Sequence, residues 1–114
     1  MHELSVAQSI LSIAKNAIPQ REPVVVTGIS LEIGELSGIE IPSLEFAFSI
    51  IKEHTSLEKA TLRITIVKGE AECQDCGTNF SIHSYGNCCP KCKGYQLKIL
   101  KGREMKVLNI AVEE

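Results

Sequence analysis

The stretch CQDCGTNFSIHSYGNCCPKCKG, residues 73–94, limits this chain more than any other part of it. Cys73 and Cys76 form one C-x-x-C pair, and Cys89 and Cys92 form a second, with twelve residues between them. Each pair can wrap two thiolates around one side of an ion through a tight turn. Together they supply the four sulfurs of a closed tetrahedral Zn(II) site. Gly77 and Gly94 stand just past the two pairs, where backbone freedom lets amides turn toward the sulfurs. Such a site has no position for water, so the metal holds the fold and performs no chemistry.

Soft thiolates also accept Cu(I) or iron, but a four-cysteine set in a small module reads as structural zinc. A redox dithiol would need one C-x-x-C at a helix N-terminus in a βαβ unit, and neither pair has that setting. Cys88 is left over. Only Cys89 repeats the two-residue spacing of the first pair, so Cys88 reads as a half-buried thiol. His83, between the pairs, reads as a loop histidine.

The remainder of the chain has the pattern of a small soluble module. In ELSVAQSILSIAKNAI the apolar positions Val6, Ala7, Ile10, Leu11, Ile13, Ala14, Ala17 and Ile18 recur at three and four, which predicts an amphipathic helix stopped by Pro19. VVVTGISLEIGEL alternates, with Val25, Thr27, Ile29, Leu31 and Ile33 on one face and Ser30 and Glu32 on the other. A turn at SGIEIP follows. SLEFAFSIIKEH then predicts a helix with Ser43 as N-cap and Leu44, Ala47, Phe48 and Ile51 as its stripe. His54 stands where it can act as a partner for the negative end of that helix.

TLRITIV predicts a strand with Leu62, Ile64 and Ile66 on one face, and REMKVLNIAVEE another with Lys106, Leu108, Ile110 and Val112. The expectation is an α+β fold: a small three-stranded sheet with two helices on one face, plus an inserted four-cysteine zinc-ribbon-like domain. Residues 1–68 and 103–114 form the main domain, and 69–102 the insert. About eighty residues is little for a self-sufficient core, and small modules commonly recruit a metal for that reason.

Charge narrows the function classes. The net charge of −2 and pI near 5.9 give no global basic field for nucleic acid or an anionic membrane. The first fifteen residues hold Glu3 and Lys15 but no basic stretch followed by an apolar block, and no apolar run approaches the ~20 residues of a membrane span. The expected compartment is the cytoplasm, where thiols stay reduced. No nucleophile–base pair, phosphate loop or paired carboxylates are visible, so the chain is not expected to be an enzyme.

The opening Met1-His2-Glu3 is a second candidate metal site. A bulky second residue generally blocks removal of the initiator Met, which leaves a free α-amine on Met1. That amine, the backbone nitrogen of His2 and its imidazole can close around one ion as fused small rings, with the Glu3 backbone nitrogen as a fourth donor. All-nitrogen planar coordination suits Ni(II) or Cu(II) and disfavours Zn, Mg or Ca. The alternative is an exposed His2 at a helix start, with Glu3 serving the helix dipole.

Together these segments resemble the HypA/HybF family of hydrogenase nickel-incorporation proteins over essentially the whole chain. The carrying residues are Met1-His2-Glu3, GELSGIEIPSLEFAF, the paired C-x-x-C with Cys-Pro-x-Cys second, and GREMKVLNIAVEE. The resemblance implies a cytosolic nickel metallochaperone for [NiFe]-hydrogenase maturation. It implies nickel binding by Met1, His2 and Glu3, and structural zinc on Cys73, Cys76, Cys89 and Cys92. The partners it implies are a HypB-type GTPase, the hydrogenase large subunit and, in some bacteria, urease accessory proteins. The competing reading is a zinc-ribbon adaptor for nucleic acid or protein, which explains the insert but not Met1-His2-Glu3 or the shortage of stacking aromatics.

Overall fold

The computed structural model of this chain describes residues 3–18 and 24–113. In chain order the elements are α1 (Glu3–Ala17), β1 (Val25–Gly34), α2 (Ile41–Ile51), β2 (Thr61–Val67), β3 (Glu70–Cys73), β4 (Asn79–Ser81), β5 (Leu97–Lys101) and β6 (Met105–Glu113). One three-stranded sheet has the order β2-β1-β6 and the other β4-β3-β5. The fold is α+β, as expected. Two compact units divide it: residues 1–31, 39–64 and 106–114 in one, and 32–38 and 65–105 in the other. The second unit is wider than the cysteine-rich stretch, because it gathers the turn around Leu36 and both flanks of the insert.

In the first unit α1 packs on α2. The buried residues of α1 are Val6, Ala7, Ile10 and Ala14, the three–four spacing that puts one stripe on one face. Glu3 in its first turn and Lys15 in its last oppose the partial charges of the helix ends. The second helix starts earlier than expected. Its N-cap is Glu40, and Pro42 lies inside the first turn, where a missing N–H costs nothing because that group has no helical partner. Ser43 is therefore not the cap; its hydroxyl donates to the Glu40 carboxylate at 3.3 Å. His54 lies beyond the helix C-cap Lys52, in the left-handed region at φ 60°.

The strand phases also differ from a simple alternation. In β1 the buried residues are Val26 and Gly28, then Ile29, Leu31, Ile33 and the terminal Gly34, so the phase of the side chains slips by one at Gly28–Ile29 and leaves Val25 exposed. A glycine without a side chain is where a strand tolerates such a slip. Ile66 in β2 and Leu108 and Val112 in β6 are likewise exposed, against expectation. Among the described residues no helix is long and apolar enough to cross a membrane.

The second unit is built on β3, antiparallel to both β4 and β5. Ala71 sits opposite Phe80 on one side and Ile99 on the other. Ala71, Ile82 and Leu36 form a small buried cluster, with Phe80, Leu97 and Ile99 packed against it. Leu36 thus comes from a segment well upstream of the insert. Backbone bonds fasten that segment: Gly34 N–H to the Glu104 carbonyl at 2.7 Å, Glu35 N–H to Val67 at 2.8 Å, and Leu36 N–H to Gly102 at 2.6 Å.

Two glycines make this approach possible. A Cβ on Gly34 would lie 2.0 Å from the Gly102 carbonyl oxygen, which is backbone and has nowhere to move. Gly102 itself holds φ 119°, which an L side chain rarely adopts. Gly34→Ala is therefore expected to destabilise the metal-loaded protein by about 3 kcal/mol. Gly86→Ala, where a Cβ meets open space, should fall within about 0.5 kcal/mol of the parent. Urea unfolding of the three proteins checks both, and equal midpoints would contradict the packing described.

Candidate metal centre

The two cysteine pairs adopt the same local structure. Cys73 N–H donates to the Thr78 carbonyl and Cys89 N–H to that of Gly94, each at 2.9 Å. In the reverse direction Gly77 N–H donates to the Cys73 carbonyl at 2.8 Å and Lys93 N–H to that of Cys89 at 2.9 Å. Each turn closes through a left-handed residue just past its second cysteine: Gly77 at φ 77° and Lys93 at φ 65°. The counterpart of Gly77 is thus Lys93, and Gly94 corresponds to Thr78. Gly94 is small for another reason. A Cβ there would lie 2.7 Å from the Asp75 carboxylate and 3.3 Å from Cys92 Sγ.

These turns bring Cys73, Cys76, Cys89 and Cys92 together, with all four Sγ atoms within 4.8 Å of one another. Cys73 Sγ lies 3.5 Å from Cys92 Sγ, and Cys76 Sγ 3.6 Å from Cys89 Sγ. A tetrahedral ion with metal–sulfur bonds of about 2.3 Å requires sulfur–sulfur edges of about 3.8 Å, so the set is close to the size such an ion needs. The strand β3 delivers Cys73 on the same buried face as Ala71. In each pair the first cysteine is buried and the second exposed.

Four thiols this close do not ionise alike. The Thr78 hydroxyl and then its amide, both turned on Cys76, lower that thiol to about 6. The Cys92 amide, aided by that of Lys91, holds Cys89 below the ordinary thiol range. At Cys92 the Gly94 amide pulls downward, but the neighbouring Cys73 sulfur, burial and the remaining two sulfurs push it up to about 12. The set therefore keeps protons near neutral pH unless a cation replaces them. A dication that draws four sulfurs at tetrahedral spacing is what this donor chemistry fits.

Cys88 and His83 stay outside the set. Cys88 is half-buried, and His83 Nδ1 instead faces the Glu35 carboxylate at 2.8 Å. Of the expected terminal site, Met1 and His2 lie outside the described residues. Glu3 begins α1, and its carboxylate accepts a hydrogen bond from Glu40 N–H at 3.2 Å, beside the start of α2. Lys93 closes its turn, and Asp75 crowds Gly94, without any sign in the sequence that they do so. For Thr78 the readable hint is a hydroxyl two residues past Cys76.

The Gly77–Lys93 equivalence has a measurable consequence. Lys93→Gly relieves a left-handed non-glycine residue and is expected to stabilise the metal-loaded protein by about 1 kcal/mol, whereas Gly77→Ala should cost about 1–2 kcal/mol. Chemical unfolding at fixed metal concentration reads both. A Lys93→Gly protein as destabilised as Gly77→Ala would contradict the equivalence.

Comparison with known proteins agrees with this architecture. The profile of the family described as "Hydrogenase/urease nickel incorporation, metallochaperone, hypA" matches residues 1–112. The chain is 41% identical over 114 residues to a hydrogenase maturation factor HypA of Parabacteroides distasonis, covering 100% of this chain and 99% of that protein. It is 38% identical over 113 residues to the one from Geobacter metallireducens, covering 99% and 100%. The solution structure of the Ni metallochaperone HypA from Helicobacter pylori superposes with a TM-score of 0.65 at 28% identity, covering 96% of each chain. By full-length similarity, with the four cysteines gathered as described, this chain belongs to the HypA family.

Proposed function

We propose that this chain is a nickel metallochaperone of [NiFe]-hydrogenase maturation, which takes up Ni(II) at Met1, His2 and Glu3 and holds structural Zn(II) on Cys73, Cys76, Cys89 and Cys92. The observation that carries the reading is the closed four-sulfur set, joined to family membership across the whole chain. A set that spends all four sulfurs on one ion leaves no exchangeable position for cargo. Zinc held there supplies crosslinking between the two turns, and no reaction.

Nitrogen donors on Met1 and His2 suit exchange. The Glu3 carboxylate, bonded to Glu40 N–H, ties the first turn of α1 to the start of α2, so the residue adjoining His2 belongs to an anchored helix. An amine titrating near ~8 and an imidazole near ~6.5 must be deprotonated to bind, so nickel affinity is high at mildly alkaline pH and falls as pH drops. Release follows when a partner offers better ligands. The partners proposed are a HypB-type GTPase and the hydrogenase large subunit, with urease accessory proteins in hosts that make urease. The proposed compartment is the cytoplasm, and the activity is binding and transfer rather than catalysis.

Calorimetric titration with Ni(II) tests the terminal site, using tag-free protein, His2→Ala and a version with two residues added before Met1. Binding should be strong in the first and at least about tenfold weaker in the others, the loss expected when one chelate donor is removed. Equal affinity in all three would refute the site. Metal analysis of protein purified without added metal should give about one zinc per chain, and Cys73→Ala should aggregate or unfold. A stable metal-free Cys73→Ala protein would refute the zinc role.

A further inference from the structure

We propose that Glu35 and His83 form a proton-sensitive latch that fastens the Glu32–Gly38 segment to the loop leading into the second cysteine pair. The proposal concerns the second unit alone and holds whichever metal the sulfurs take.

One carboxylate joins three segments. Glu35 Oε1 accepts the Gly69 N–H at 2.8 Å, and Oε2 faces His83 Nδ1 at 2.8 Å. Next to this contact Ile82 N–H donates to the Gly69 carbonyl at 3.0 Å, and His83 N–H to Asn87 Oδ1 at 3.4 Å. Leu36, the next residue after Glu35, is buried with Ala71 and Ile82. The latch thus sits at the rim of the small core, and the loop it holds runs through Asn87 and Cys88 to Cys89.

The chemistry makes it sensitive to protons. Nδ1 must carry hydrogen to donate to Glu35. A neutral imidazole meets that demand in only one of its two tautomers, whereas an imidazolium meets it always and adds a charge. Imidazoles change charge between about pH 5 and 8. The other charged groups at hand are Lys68, which favours the Glu35 anion, and Arg103, bonded through Nε to the Tyr85 hydroxyl at 3.2 Å on the same loop.

Glu35 itself stays ionised through that range. The Gly69 amide first, and then His83, hold its carboxyl below the ordinary 4.5. The sign follows from these two facts. The latch is weaker at alkaline pH, tightens as the imidazole gains its proton, and opens only when acid reaches the lowered carboxyl. The pair is solvent-accessible, with side chains 68% and 28% exposed, so the effect is modest.

Amide hydrogen exchange followed by NMR on the metal-loaded full chain tests this, with metal stoichiometry measured in each sample. After correction for intrinsic exchange, Gly69 N–H protection should rise about threefold between pH 7.5 and 5.5 in the parent. In His83→Gln the rise should vanish while basal protection is retained. In Glu35→Gln both the rise and part of the basal protection should be lost. The 15N shifts of the His83 ring provide a second readout: the Nδ1-protonated signature should prevail in the parent and disappear in Glu35→Gln. A parent with no rise, a rise unchanged in His83→Gln, or ring shifts indifferent to Glu35→Gln would each overturn the latch.

Discussion

Four sulfurs within 4.8 Å of one another cannot all ionise unless something positive lies between them. Hydrogen bonds from Thr78, Cys92 and Gly94 soften the repulsion at single atoms, yet Cys92 is still pushed up to about 12. The strands around the set are short: three residues in β4, four in β3 and five in β5. Such strands bury too little to hold themselves, and a crosslinking ion offsets the deficit. In the proposed role, the bound ion does for the second unit what a large apolar core does for other domains.

Even with an ion the unit is incomplete without the Glu32–Gly38 segment. Leu36 closes its apolar cluster, Gly34 and Gly102 allow the backbone approach, and Glu35 joins the segment to Gly69 and His83. A domain drawn around the cysteines alone would expose Ala71 and Ile82. Because its core borrows from an earlier turn, the chain enters and leaves this unit twice rather than once.

Local features are legible in the sequence and long-range ones are not. The C-x-x-C spacing and the stripe of α1 can be read because both geometries are set within a few residues. Cys89 is separable from Cys88 on spacing alone, and it is Cys89 whose sulfur lies with those of Cys73, Cys76 and Cys92. Val25 defeats the alternation because a one-residue slip at Gly28–Ile29 inverts everything before it, and the glycine there permits a slip without dictating one. Ser43 resembles a cap only if Pro42 is read as a barrier, although proline is at home in a first turn. Lys93 in a glycine's conformation carries no sequence signal. Glu35 and His83 lie 48 residues apart, beyond any periodicity.

The two metal roles proposed for this HypA-family chain divide by ligand chemistry. Thiolates retain a structural ion, and the nitrogen donors of Met1 and His2 hold cargo loosely enough to surrender it. X-ray absorption on protein loaded with both metals tests that division directly. The account predicts only nitrogen and oxygen neighbours around nickel, and about four sulfurs near ~2.3 Å around zinc. Sulfur in the nickel shell, with fewer than four sulfurs around zinc, would contradict it.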